Sequence, residues 1–187
     1  MQSAALQGGS QDPPRDAAFA FRALMNAMAR PGTIETLTGG APPALLSEAA
    51  GTLLLTLTDP ETPVYLGGAL NCPEVRNWIA FQTGAPLSDP AQCVFAIGTW
   101  DDLLPLSAYS HGTPEYPDRS ATLIVECDTL SGEGSTLTGP GIRSTTGLLL
   151  PDPEAFAQNH AMFPLGLDFY FTSGASVAAL PRSTRIR

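Results

Sequence analysis

The chain contains no lysine. Every mechanism that needs a side-chain amine is closed to it, including a lysine Schiff base and the phosphate-gripping lysine of a P-loop. Histidine is scarce, with two residues, and cysteine amounts to Cys72, Cys93 and Cys127. That odd number at wide spacing, with no CxxC pair and no neighbouring histidine, suggests neither a disulfide framework nor a zinc site, and fits a reducing cytoplasm. Long apolar runs are missing too. The longest, Ala41 to Leu57, is broken by Pro42, Pro43, Ser47, Glu48 and Gly51 and is too short and polar to span a bilayer. Basic charge is also in deficit, with nine arginines against eighteen carboxylates and a net charge of −9. Nonspecific nucleic-acid binding needs a basic stripe, so this balance disfavours it. A phosphorylated small molecule stays open, because a few converging arginines can hold one on an acidic protein.

What remains is a chain of 187 residues with ordinary apolar content, enough for one compact core. Residues 1–12 read as a loose N-terminal tail, lacking the charged and apolar regions of a signal peptide, and 13–187 as a single domain. Asp12 and Pro13 are a helix start, and Phe21, Leu24, Met25 and Met28 repeat at helical spacing as the apolar side of an amphipathic helix until Arg30, Pro31 and Gly32 end the run. Leu45 to Leu57 is apolar nearly all round, as in a buried helix. Thr62 to Leu66 reads as a strand, and Asn71 with Pro73 opens a helix ending near Gly84. Cys93 to Gly98 is a buried strand, and a helix is expected to start at Thr99. Ala121 to Cys127 and Ser135 to Thr138 read as a hairpin turning at Ser131 to Gly134. A helix around Pro153 to Asn159 and strands at Leu167 to Thr172 and Ser176 to Leu180 complete the pattern. The alternation predicts a three-layer α/β/α domain with a mixed sheet.

Standard catalytic signatures are missing: no GxSxG elbow, HExxH helix or Walker loop occurs. Gly132-Glu133-Gly134 begins like a dinucleotide fingerprint, but Leu137 stands where its third glycine belongs and a strand follows. His111 and His160 sit beside loop signals, where a solvated or structural histidine is the plainer reading than a catalytic one. Cys72, near a helix start, is either a thiol activated by the helix dipole or simply a small residue in a first turn. Arg22 and Asn26, four apart, and Arg30 at the helix end form a donor-rich stripe, facing either solvent or an anion or partner. The turn Gly139-Pro140-Gly141 is a weak anion nest, because Pro140 has no N–H.

Five segments taken in order carry more: FRALMNAMARPG (21–32), LLLTLTDPETPVYL (53–66), TLTGPGI (136–142), FPLGLDFYFT (163–172) and ALPRST (179–184). Together they resemble the PhnH family, subunits of the bacterial carbon–phosphorus lyase system for phosphonate breakdown. The resemblance runs from about residue 16 to residue 185. It implies a homodimer with a fold similar to pyridoxal-phosphate-dependent transferases but without the cofactor; no metal site is expected from the residue pattern. It also implies partnership with the other core-complex subunits, which together join ATP and an alkylphosphonate into ribose 1-phosphonate 5-triphosphate and release adenine. No catalytic residue is implied for this subunit. Arg22, Arg30 and Arg182 are the candidates for anion binding or for an interface. Two rival readings stay open: an independent transferase or hydrolase holding a phosphorylated substrate on arginines, and a scaffold with no ligand site.

Overall fold

The computed structural model describes residues 8, 9 and 12–187. Most of the expected tail lies outside the described residues; of its described part, the Gly8 carbonyl accepts a hydrogen bond from Ala41 N–H at 3.0 Å.

Proline fixes a helical φ and lacks the N–H a first turn leaves unused, and three of the four α-helices have it at their start, each with an acidic residue in the first turn. These are α1 (Pro13–Ala29), α3 (Pro73–Gln82) and α4 (Pro153–Ala161). The remaining helix, α2 (Glu48–Leu57), is capped by Ser47, whose hydroxyl accepts from Ala50 N–H at 3.1 Å. That cap explains why α2 starts after Leu45, which is exposed.

The strands are β1 (Glu35–Thr36), β2 (Val64–Leu66), β3 (Phe95–Gly98), β4 (Thr122–Glu126), β5 (Ser135–Thr138), β6 (Thr146–Leu148), β7 (Asp168–Ser173), β8 (Ser176–Leu180) and β9 (Arg185–Ile186). Six form a mixed sheet in the order β1-β8-β7-β4-β3-β2; β2, β3, β4 and β7 run parallel, and β8 and β1 add antiparallel pairs. The other three form a small antiparallel sheet, β6-β5-β9.

Because side chains alternate across a strand, the main sheet feeds two cores. Ile97, Ile124, Tyr170, Val177 and Ala179 point to one face, where they pack with buried residues of α1, α2 and α3, including Leu24, Leu53 and Trp78. Ala96, Leu123, Val125, Phe169, Phe171 and Ala178 point to the other, with Phe156 of α4 and Leu137 and Leu148 of the small sheet. Phe156 is the hub there: its ring lies 4.8 Å from those of both Trp100 and Phe169.

Three sequence expectations are corrected. The stretch after Thr99 is not an α-helix but two 3-10 turns, Asp101–Leu103 and Leu106–Ala108, because Pro105 between them has no N–H to continue a helical ladder. β4 and β5 do not form a hairpin: β4 is an interior strand between β3 and β7, while β5 belongs to the small sheet. The run from Cys127 to Gly134 carries the chain from one sheet to the other. Finally, Phe21 and Met25 do not face the core; they are 49% and 56% exposed. The buried side of α1 is Ala20, Leu24 and Ala27, with Ala23 and Met28 packed beside it. Alanines let α2 and β8 approach closely, and a pattern drawn from large residues passes over them.

Candidate functional site

Four of the five motif segments meet in pairs. Gly141, in the 136–142 segment, has φ +79°, and a Cβ there would lie 1.9 Å from the carbonyl oxygen of Ala29 at the end of α1. Two of the five segments thus touch where only glycine fits. The last two segments meet through Arg182. Its guanidinium donates from Nε to Asp168 Oδ1 at 3.1 Å, from Nη1 to the Pro117 carbonyl at 2.6 Å, and from Nη2 to Asp168 Oδ2 and Ser120 Oγ. The Arg182 backbone N–H adds a bond to Asp168 Oδ1 at 2.8 Å. Arg182 and Asp168 side chains are 13% and 23% exposed, and theirs is the one ion pair among the described residues.

Both histidines join this end of the sheet. His160 Nδ1 lies 2.9 Å from the Arg182 carbonyl, which accepts only, so Nδ1 carries the proton. His111 contributes main chain: it bridges to Ser120, and its carbonyl accepts from Gly166 N–H at 3.1 Å. Beside it the buried Asn159 clamps Leu167, accepting from its N–H at 2.8 Å and donating to its carbonyl at 2.9 Å.

Arg22 and Arg30 have the opposite setting. Both are exposed on or at the end of α1, and neither makes an ion pair among the described residues. Asn26 between them donates to Glu35 Oε1 on β1 at 3.1 Å. With Ala18, Phe21, Met25 and Ala29, Arg22 and Asn26 line a groove of about 510 Å³ along the outer side of α1.

The carboxyl ends of the parallel strands β4 and β7, on the usual ligand side of an α/β sheet, are tied internally. Glu126, last in β4, accepts from Ser47 N–H at 2.7 Å and from Thr172 Oγ1 at 2.9 Å. Burial first, then Glu126 and Asp128, push the neighbouring Cys127 thiol up to about 11. Burial likewise raises Cys93 to about 11, so both are protonated thiols near neutral pH. Cys72 stands at the N-cap of α3, half-buried and without a capping side-chain bond. Gly132-Glu133-Gly134 leads into β5, not into a helix, which removes the dinucleotide reading.

One arginine was missed by sequence reasoning. Arg76 on α3 lines an open cleft of about 440 Å³ beside the edge strand β2, with Tyr65, Asn71, Ser88, Asp89 and Gln92. Its Nε donates to Asn71 Oδ1 at 2.6 Å, which orients the guanidinium. The only signal in the sequence was an arginine one turn into a helix that starts beside Asn71. Among the described residues, no three His, Cys, Asp or Glu side chains gather as a metal-binding set.

These features define a mixed-sheet α/β protein whose cations are all arginines, one locked inside the fold and others displayed on a helix face. Within that class the chain belongs to the PhnH family: the family model described as bacterial phosphonate metabolism protein (PhnH) matches residues 8–187. It is 42% identical over 195 residues, 99% of this chain and 97% of the relative, to the alpha-D-ribose 1-methylphosphonate 5-triphosphate synthase subunit PhnH of Rhizobium meliloti (strain 1021). It is also 33% identical over 178 residues, 89% of this chain and 84% of the relative, to a Stutzerimonas stutzeri protein with the provisional name C-P lyase subunit protein HtxG.

Proposed function

We propose that this chain is a subunit of the synthase that joins ATP and an alkylphosphonate into ribose 1-phosphonate 5-triphosphate, releasing adenine, in phosphonate catabolism. The observation that carries the reading is end-to-end similarity to a relative named as a subunit of such a synthase. The protein works in the cytoplasm with the other core subunits and pairs as a homodimer. No helix among the described residues is long and apolar enough to cross a membrane.

The finer fold reading is a three-layer domain over residues 13–187, similar to pyridoxal-phosphate-dependent transferases. The parallel run β2-β3-β4-β7, buried on both faces, supports it. Pyridoxal phosphate itself does not fit this chain, because no lysine exists to hold it as a Schiff base. Arg22 and Arg30 serve association, and Arg182 holds the framework that displays them.

The test is genetic and biochemical together. A strain lacking this protein should lose growth on methylphosphonate as sole phosphorus source and regain it with the wild-type chain. The tagged chain should co-purify with the other core subunits. Growth without the protein, or a chain that purifies alone from cells expressing the whole set, would contradict the reading. The Arg76 cleft favours a second reading, an independent enzyme acting on a phosphorylated small molecule; turnover of ATP or methylphosphonate by the isolated protein would support it.

A further inference from the structure

We infer that the outward face of α1 is the docking surface for an acidic face, studded with apolar side chains, on a different protein chain. The inference rests on the subunit reading above. An α-helix brings residues three and four apart onto one line, and two such lines run side by side on the exposed half of α1. Arg15, Phe19, Arg22 and Asn26 form one, continued by Arg30 at the helix end; Ala18, Phe21, Met25 and Ala29 form the other. Phe19, Phe21 and Met25 are 64%, 49% and 56% exposed. In the second line the small Ala18 and Ala29 flank the Phe21 and Met25 knobs, which shapes the groove of about 510 Å³.

Charge selects the occupant. Three of the nine arginines, Arg15, Arg22 and Arg30, fall within residues 13–30 against the single aspartate Asp16, whereas the whole chain carries −9. The other carboxylates nearby are Asp12 and Glu48, which share a cleft with Arg15 and Phe19, and Glu35, which accepts from Asn26, so the basic end of the face is Arg22 and Arg30. The one ion pair among the described residues lies elsewhere, at Arg182, so these cations are not neutralised by salt bridges within the described fold. A second copy meeting this face about a two-fold axis brings the arginines of both copies into one contact without adding a carboxylate surface for them. A second copy meeting it with a different, acidic patch makes a head-to-tail contact that propagates unless it closes into a ring. A different chain with carboxylates beside apolar knobs satisfies both rows in one closed contact. The homodimer then uses another surface.

The experiment co-expresses the full-length tagged chain with the remaining core subunits and measures the partner recovered per molecule of tagged chain. Four chains are compared: wild type, the Arg22→Glu/Arg30→Glu double variant, Met25→Asp and Arg22→Lys. We expect recovery to fall about tenfold or more in the double variant and in Met25→Asp, and to hold within about twofold in Arg22→Lys, which keeps the charge. Melting temperature and far-UV circular dichroism of each variant should match wild type, as the substituted side chains are exposed. Recovery equal to wild type in the double variant and in Met25→Asp overturns the inference while leaving the subunit reading intact. Conversion of a purified wild-type dimer to a monomer by the double variant overturns it too, by making the face self-associating. Co-flotation of the wild type with anionic phosphatidylglycerol vesicles, lost in the double variant, overturns it in favour of a membrane. Failure of the wild type itself to recover any partner is the separate result that contradicts the subunit reading.

Discussion

Arg182 and Arg22 carry the same guanidinium into opposite surroundings. Arg182 places four guanidinium hydrogen bonds on Asp168, Ser120 and the Pro117 carbonyl, tying the start of β7 to the segments before β4 and after β8. Arg22 stands exposed on α1 beside Phe21 and Met25, with no ion pair. Removing the first leaves polar groups without partners inside the fold; removing the second leaves solvent where solvent already was. In a chain without lysine, burial decides which arginines build the structure and which remain to meet other molecules.

The comparison breaks first at Arg182. Arg182→Ala should cost about 3 kcal/mol of unfolding free energy in urea, because Asp168 loses its counter-charge while mostly buried. Replacing the pair together, Arg182→Met with Asp168→Leu, should recover much of that loss and so separate the pair's removal from an orphaned charge. Next is the neighbouring clamp: Asn159→Ala strands both the N–H and the carbonyl of Leu167 and should cost about 2 kcal/mol by the same measurement. Gly141→Ala, which forces a methyl against the Ala29 carbonyl at positive φ, should cost about 2 kcal/mol. At the far end of the scale, Arg22→Ala should change stability by less than about 0.5 kcal/mol. A loss at Arg22 as large as that at Arg182 would erase the distinction.

A pH prediction follows from the thiols. Cys93 and Cys127 hold their protons in the folded protein to about 11, against 9.0 for a free thiol. Between these values the unfolded chain releases protons that the folded chain keeps, so stability falls as pH rises from about 9 toward 11. Cys93→Ala should flatten that alkaline limb in a series of urea titrations. Tyr170, raised to about 12 by burial, extends the decline to still higher pH.

Much of the fold was legible because its signals are local. Pro13, Pro73 and Pro153 mark helix starts, and the β7–β8 hairpin is two apolar runs around Gly174. β1 and β9 have two residues each and β6 three, too short for any alternation to show. The passage from β4 to β5 reads like a hairpin because a glycine-rich loop looks the same whether the next strand returns to its own sheet or starts another. The site was less legible. Arg182 drew attention through its motif, but its partner Asp168 sits across a strand pair, at a distance no local spacing encodes. The outer face of α1 was misread in part because the alanines that seat the helix weigh less than the Phe21 and Met25 they leave outside.

The most direct test of this division of labour is the salt dependence of association between the purified chain and its partner subunits, compared for wild type and Arg22→Ala/Arg30→Ala. Exposed charges act across a Debye length of about 8 Å at physiological ionic strength, so added salt should weaken wild-type binding steeply and the variant much less. Identical salt slopes for the two proteins would contradict the account, because the exposed arginines would then take no part in the contact.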